Sequence, residues 1–204
     1  ADDSSACAPC GDGESAQFYG NLDCKDGDEQ AATSERAILE SLYQSTNGAN
    51  WLIHGNWVDD DVAICQWHGI DCGTSGSVES IHLMRNGLVG SIPTSLFQLP
   101  NLMELNLASN NIVFSFQGIA AASKLEYLSL GDTGLKSLSG IEQSVSLRVL
   151  HIEKNAFQSW PPESLLLSGL QTLHMSRNNF SGALPSSIAD LGNLTSLACD
   201  DCSL

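Results

Sequence analysis

The stretch VESIHLMRNGL at 78–88 returns as LMELNLASNNI at 102–112, LEYLSLGDTGL at 125–135, LRVLHIEKNAF at 147–157, LQTLHMSRNNF at 170–180 and LTSLACDDCSL at 194–204. The copies open on Val78, Leu102, Leu125, Leu147, Leu170 and Leu194, at intervals of 24, 23, 22, 23 and 24 residues. All follow the template LxxLxLxxNxL. Alternating apolar residues across its centre predict a short strand. The ninth position carries Asn86, Asn110, Asn155 and Asn178, replaced by Thr133 and Cys202 in the other two copies. An amide turned inward there can bond the turns on either side. One copy cannot cover its own apolar face, whereas a stack of copies buries a continuous core. The reading is a solenoid with one short parallel strand per turn.

These residues resemble the leucine-rich repeat family. The outer halves LVGSIPTSLFQLPN at 88–101 and FSGALPSSIADLGN at 180–193 look like its plant-type subclass, LxGxIPxxLxxLxx. The resemblance runs from Gln30 to Leu204 and implies an α/β solenoid, a right-handed superhelix with a helical N-terminal cap. The middle outer halves, IVFSFQGIAAASK, LKSLSGIEQSVS and FQSWPPESLLLSG, lack the Gly-x-Ile-Pro signature. Their departure argues against the second, convex-side sheet that the plant-type motif implies.

Ahead of the repeats, TSERAILESLYQST at 33–46 places Ile38, Leu39, Leu42 and Tyr43 on one helical face. Thr33 or Ser34 is the expected N-cap and Asn47-Gly48 the expected stop. NWLIHGNW and then CQWHGIDC at 65–72 follow. This pattern resembles the N-terminal cap of extracellular leucine-rich repeat proteins, found in plants and in plant-like proteins of algae and protists. Its CxWxGxxC motif implies a Cys65–Cys72 disulfide. The first strand exposes an edge and an apolar core that something must cover. Trp51, Trp57 and Trp67 are therefore expected inside the cap rather than as a binding platform. The organisation expected is an acidic, cysteine-containing extension at 1–30, a cap at 31–77 and a solenoid at 78–204 with five full repeats and a partial sixth.

The 204 residues hold 24 acidic and 8 basic side chains, a formal charge of −16. Up to Ser75 there are 14 acidic against 2 basic residues, or −12; from Gly76 onward 10 against 6, or −4. Charge of this sign repels nucleic acid and anionic lipid, and no apolar run reaches the ~20 residues that span a bilayer. Residues 1–30 show no apolar period, which makes them a solvated acidic arm; GDGE and KDGDE suit a calcium ion in residue type but do not match the EF-hand loop. Seven cysteines, Cys7, Cys10, Cys24, Cys65, Cys72, Cys199 and Cys202, favour an oxidising compartment. Their odd number leaves one thiol free or bonded to another chain. Cys199 takes an inward leucine position and Cys202 the asparagine position, so both are expected as buried thiols. The sixth copy stops halfway through its repeat, which points to a fragment of a larger, membrane-anchored protein.

Register makes the concave face readable. The third template position gives Ser80, Glu104, Tyr127, Val149, Thr172 and Ser196; the fifth gives His82, Asn106, Ser129, His151, His174 and Ala198. The seventh gives Met84, Ala108, Gly131, Glu153, Ser176 and Asp200; the eighth gives Arg85, Ser109, Asp132, Lys154, Arg177 and Asp201. Lys154, Arg177, His151 and His174 are expected to form an anion-accepting patch, helped by His82 and Arg85, with Tyr127 and Glu153 on the same surface. With two adjacent histidines the patch should strengthen as pH drops toward 6. Asn179-Phe-Ser and Asn193-Leu-Thr are glycosylation sequons placed outside the strand core.

No nucleophile–base pair, phosphate loop, GxSxG or HExxH occurs, so no enzyme and no cofactor are expected. The resemblance implies a secreted or cell-surface recognition module, receptor or co-receptor-like, that binds a peptide, glycan or protein on its concave face. The alternative is a structural or adhesive wall or matrix component whose acidic arm binds cations.

Overall fold

The computed structural model describes residues 27–158, 167–181 and 186–202. The expectations for the acidic arm, including Cys7, Cys10 and Cys24, fall outside the described residues.

Among the described residues one α-helix, α1 (Gly27–Ser45), precedes all strands. It starts well before the helix read from sequence, so Thr33 and Ser34 lie inside it and neither is an N-cap. The stop falls where Asn47-Gly48 placed it: Thr46 N–H and Oγ1 both donate to Leu42 O (3.1 and 2.5 Å), and Asn47 turns left-handed at φ 60°.

Nine strands follow: β1 (Ile70–Cys72), β2 (Val78–His82), β3 (Val89–Ser91), β4 (Glu104–Asn106), β5 (Asn111–Val113), β6 (Tyr127–Ser129), β7 (Val149–His151), β8 (Thr172–His174) and β9 (Ser196–Ala198). The concave sheet runs β1-β2-β4-β6-β7-β8-β9, and from β2 onward every pairing is parallel. Template positions one, four and six make the core: Val78, Ile81 and Leu83 in the first repeat, Leu170, Leu173 and Met175 in the fifth, all at most 1% exposed.

The cap closes the first edge. β1 pairs antiparallel with β2, Ile70 opposite Ile81, which uses up the free hydrogen-bonding groups of β2. Cys65 and Cys72 are joined in a disulfide behind it. Trp51, Trp57 and Trp67 are buried, with successive ring centroids 4.8 and 5.0 Å apart, and Arg36 lies 5.0 Å over the Trp67 ring. The segment at 52–53 also imitates a preceding repeat: Ile53 N–H donates to Asn86 Oδ1 and Ile53 O accepts from Asn86 Nδ2 (2.7 and 2.8 Å).

β3 and β5 form a second, two-stranded parallel sheet on the opposite side. It starts at the copy that carries Gly-Ser-Ile-Pro and no further strand joins it among the described residues; 182–185, in the other plant-type copy, lie outside them. Gly90, at φ +133°, shows why that signature needs glycine: a Cβ would stand 2.1 Å from Ser45 O, so a side chain would push α1 away.

The buried asparagines form a ladder along the turns. Asn110 Oδ1 accepts from Asn86 N–H and Leu88 N–H, while Asn110 Nδ2 donates to Leu83 O and Leu107 O, all between 2.8 and 3.1 Å. Asn155 does the same for Thr133 N–H and Leu135 N–H, and Asn178 for Asn155 N–H and Phe157 N–H. Thr133 interrupts the ladder. Its hydroxyl donates to Leu130 O at 2.8 Å, and it offers nothing to Asn110 N–H and Ile112 N–H, which sit where an Oδ1 would otherwise take them. Both residues are buried (4% and 6% exposed), and a hollow of about 320 Å³ opens there between Ser109, Asn110, Asp132 and Gly134. At the junction of the second and third repeats Thr133 therefore makes no counterpart of the three cross-turn bonds, with Asn86 N–H, Leu88 N–H and Leu83 O, that Asn110 makes at the first, and the junction is a seam.

At the far end the thiol expectation is corrected. Cys199 and Cys202 are bonded to each other. Their Cα atoms stand 5.5 Å apart because the ninth position turns inward beneath the sixth, which brings both sulfurs into the core line.

Candidate functional site

The strand register places the predicted columns as read. Ser80, Glu104, Tyr127, Val149, Thr172 and Ser196 are successive partners, and so are His82, Asn106, Ser129, His151, His174 and Ala198. Partners in adjacent parallel strands lie ~4.8 Å apart. His151 and His174 accordingly stack, ring centroids 4.4 Å apart and planes 4° from parallel. The Tyr127 hydroxyl stands 3.3 Å from His151 Nδ1, and Ser196 Oγ stands 3.5 Å from His174 Nε2. When the tyrosine donates, the imidazole proton of His151 sits on Nε2. Burial holds the His151 pKa below the ordinary 6.5; the neighbouring His174 lowers it further, and Glu153 opposes both.

The other predicted residues separate into two groups. His82 lies at the opposite end of the sheet, its Nε2 3.6 Å from Glu104 and 3.9 Å from Asp71, and it does not join the histidine pair. Arg85, Lys154 and Arg177 stand beyond the strand ends, in a column whose six members all have φ between 53 and 58°. Left-handed backbone costs a non-glycine residue about 1–2 kcal/mol, a cost the adjoining ladder bonds offset. Arg177 pairs with Asp201 at 3.9 Å, whereas Lys154 makes no ion pair among the described residues. Glu153 folds back over Gly131: a Cβ on that glycine would meet Glu153 Oε1 at 2.5 Å, and Oε2 is buried without a partner.

Sequence reasoning missed Asp71. The repeat template could not find it, because β1 belongs to the cap and runs the other way. It also missed Glu126 and Arg148, second-position residues paired at 3.4 Å beside a hollow of about 420 Å³ that Met103, Lys124 and Val145 help to line. The charges had been visible; only the sheet puts them on one edge. Asn179 and Asn193 are exposed, and Asn193 Nδ2 donates to Ser168 O at 2.6 Å. No group of three or more His, Cys, Asp or Glu among the described residues could hold a metal ion, and no helix there is long and apolar enough to cross a membrane.

A sheet face of this kind, built on one strand per repeat behind an aromatic, disulfide-linked cap, defines a leucine-rich repeat module. The family model described as Leucine rich repeat matches residues 76–135 and 145–204, more than half of the chain, and the chain belongs to that family. It is similar to plant receptor ectodomains. Receptor-like protein kinase 7 of Arabidopsis thaliana is 25% identical over 196 residues, covering 78% of this chain and 20% of the kinase. The ectodomain of the plant membrane receptor kinase GASSHO1/SCHENGEN3 from Arabidopsis thaliana, solved in complex with CASPARIAN STRIP INTEGRITY FACTOR 2, superposes with a TM-score of 0.70 at 26% identity, over 82% of this chain and 21% of that one. A chain of the BIR3–SERK2 complex from Arabidopsis thaliana superposes with a TM-score of 0.62 at 25% identity, over 78% of this chain and 90% of that one. The chain thus spans about a fifth of the length of the first two.

Proposed function

We propose that this chain is a non-catalytic recognition module of the cell surface or extracellular space, which binds a peptide or protein on its concave sheet around His151, His174 and Tyr127. The observation that carries the reading is the stacked histidine pair. Two parallel imidazoles at 4.4 Å, one with a tyrosine hydroxyl 3.3 Å from its Nδ1, are built on strands that expose them to whatever lies in the concavity. They form a rigid hydrogen-bonding platform held by backbone pairing on both sides. Lys154 adds a positive charge with no ion pair among the described residues, Arg177 a second one shared with Asp201, and Arg85 stands further along the same column.

Similar ectodomains support the assignment: the GASSHO1/SCHENGEN3 ectodomain is held with CASPARIAN STRIP INTEGRITY FACTOR 2, and BIR3 with SERK2. The cysteine pairs Cys65–Cys72 and Cys199–Cys202 fit an oxidising compartment, and exposed Asn179 and Asn193 fit glycosylation there.

The test is a double charge reversal. With a binding partner captured by the purified chain, Lys154→Glu with Arg177→Glu should weaken binding about tenfold or more, and Tyr127→Ala with His174→Ala should abolish it. Binding unchanged by both pairs places the interaction elsewhere and refutes the reading.

A further inference from the structure

The concave face carries more than the histidine pair, and its charges are sorted along the solenoid. On the side of the cap, β1 and β4 present Asp71 and Glu104, exposed by 72% and 50%, with the His82 imidazole between them. Two and three strands beyond β4 come His151 and His174, backed by Lys154. Tyr127, on β6, stands between the two groups in the same column as Glu104. The charges at the margins cancel locally, Glu126 with Arg148 at 3.4 Å and Arg177 with Asp201 at 3.9 Å. Glu153 is withdrawn over Gly131, with one oxygen buried. What remains on the strands themselves is an acidic end, an aromatic middle and an end of imidazole donors, flanked by the eighth-position column, which carries Arg85 and Asp132 as well as Lys154.

We propose that the concave sheet takes a dipolar extended peptide laid across the strands, with a cationic side chain over Asp71 and Glu104 and an anionic one over His151, His174 and Lys154. This rests on the reading of the concave face as the recognition surface. Charge complementarity selects the occupant, and the sheet selects its spacing. From β4 to β8 there are three strand steps, ~14 Å at ~4.8 Å each. An extended chain advances ~3.3 Å per residue and shows every second side chain on one face. Its opposite charges therefore stand four residues apart, ~13 Å. The residue midway between them is apolar or aromatic and packs on Tyr127. The cationic group finds two carboxylates sharing one imidazole, and the anionic group finds the stacked imidazoles of His151 and His174 with Lys154 beyond the strand end.

The experiment pans a phage-displayed library of random linear decapeptides on the chain and on its Asp71→Lys, Glu104→Lys variant. Enriched sequences should carry opposite charges four residues apart around an apolar centre. Synthetic peptides of that pattern should bind about fivefold or more tighter than the same composition with the charges adjacent. The reversed variant should lose them and select an anionic residue at both charged positions. Peptides lost on Tyr127→Ala with His174→Ala yet lacking that charge pattern would overturn this proposal and leave the concave site standing. Peptides indifferent to both variants would overturn the concave site as well.

Discussion

His151 and His174 lie face to face, 4.4 Å between ring centroids and 4° between planes, on adjacent, directly paired strands. Their stacking follows from register alone: both occupy the fifth position of their repeats, so the sheet spacing becomes the ring spacing. Burial and the second ring make a proton on His151 unfavourable in the folded chain.

The sign of the pH dependence follows. A histidine whose folded pKa lies below the unfolded value near 6.5 binds fewer protons when folded, so stability rises with pH across that window. The contribution is intact above 6.5 and is lost as pH falls through the folded value. Thermal unfolding at pH 7.5 and 5.0 should show the native chain losing more on acidification than His151→Asn does. The same proton is the one that would strengthen the anion-accepting platform, so His151 contributes its charge only below the ordinary imidazole range.

Glu35 behaves in the opposite sense. Burial raises its pKa above 4.5, against the hydrogen bond its Oε2 accepts from Val78 N–H, and its Oε1 is buried without a partner. The folded state holds that proton more tightly than the unfolded chain, so stability is lost as pH rises above 4.5. Glu35→Gln removes the dependence. Its melting temperature relative to the native chain should be more favourable at pH 7.5 than at pH 4.5.

Thr133→Asn should mend the seam. An Oδ1 at that position can accept from Asn110 N–H and Ile112 N–H, as Asn110 and Asn155 do for their neighbours. Two regained bonds are worth about 1–3 kcal/mol, or roughly 2–4 °C in melting temperature per kcal/mol for a chain of this size. Amide exchange at Asn110 and Ile112 should slow. Unchanged exchange would mean that water already serves both groups well.

Cys65→Ser with Cys72→Ser opens a loop of seven residues' separation, worth about 2–3 kcal/mol by the loop-entropy relation. The loss should show in calorimetry. Because the bond anchors the end of β1 at Cys72, its loss should also bring faster amide exchange in β2, whose edge that strand protects.

The repeat was legible because its signal is additive. Six aligned starts and a period-two core specify the strands without reference to anything distant, and the columns Ser80 to Ser196 and His82 to Ala198 followed by counting. Only part of the site followed. Lys154 and Arg177 were found as charges, but the left-handed turn that carries them past the strand ends was not foreseen, nor was the partner Asp201 takes. His82 read like the other histidines, yet Asp71 decides its role, and Asp71 belongs to an antiparallel cap strand that no repeat template contains.

The sequence by itself determined the solenoid, its register and which residues share a column, because a parallel ladder of identical short strands translates position in the repeat directly into position in space. Tertiary structure alone decided which neighbours close on one another. Withdrawal of Glu153 over Gly131 depends on distances across turns, and pairing of Cys199 with Cys202 on how the last described turn closes. Those distances are set by how the turns pack rather than by the repeat period. The sorting of charge along the concave face belongs to the same class, since Asp71 reaches it from outside the repeats.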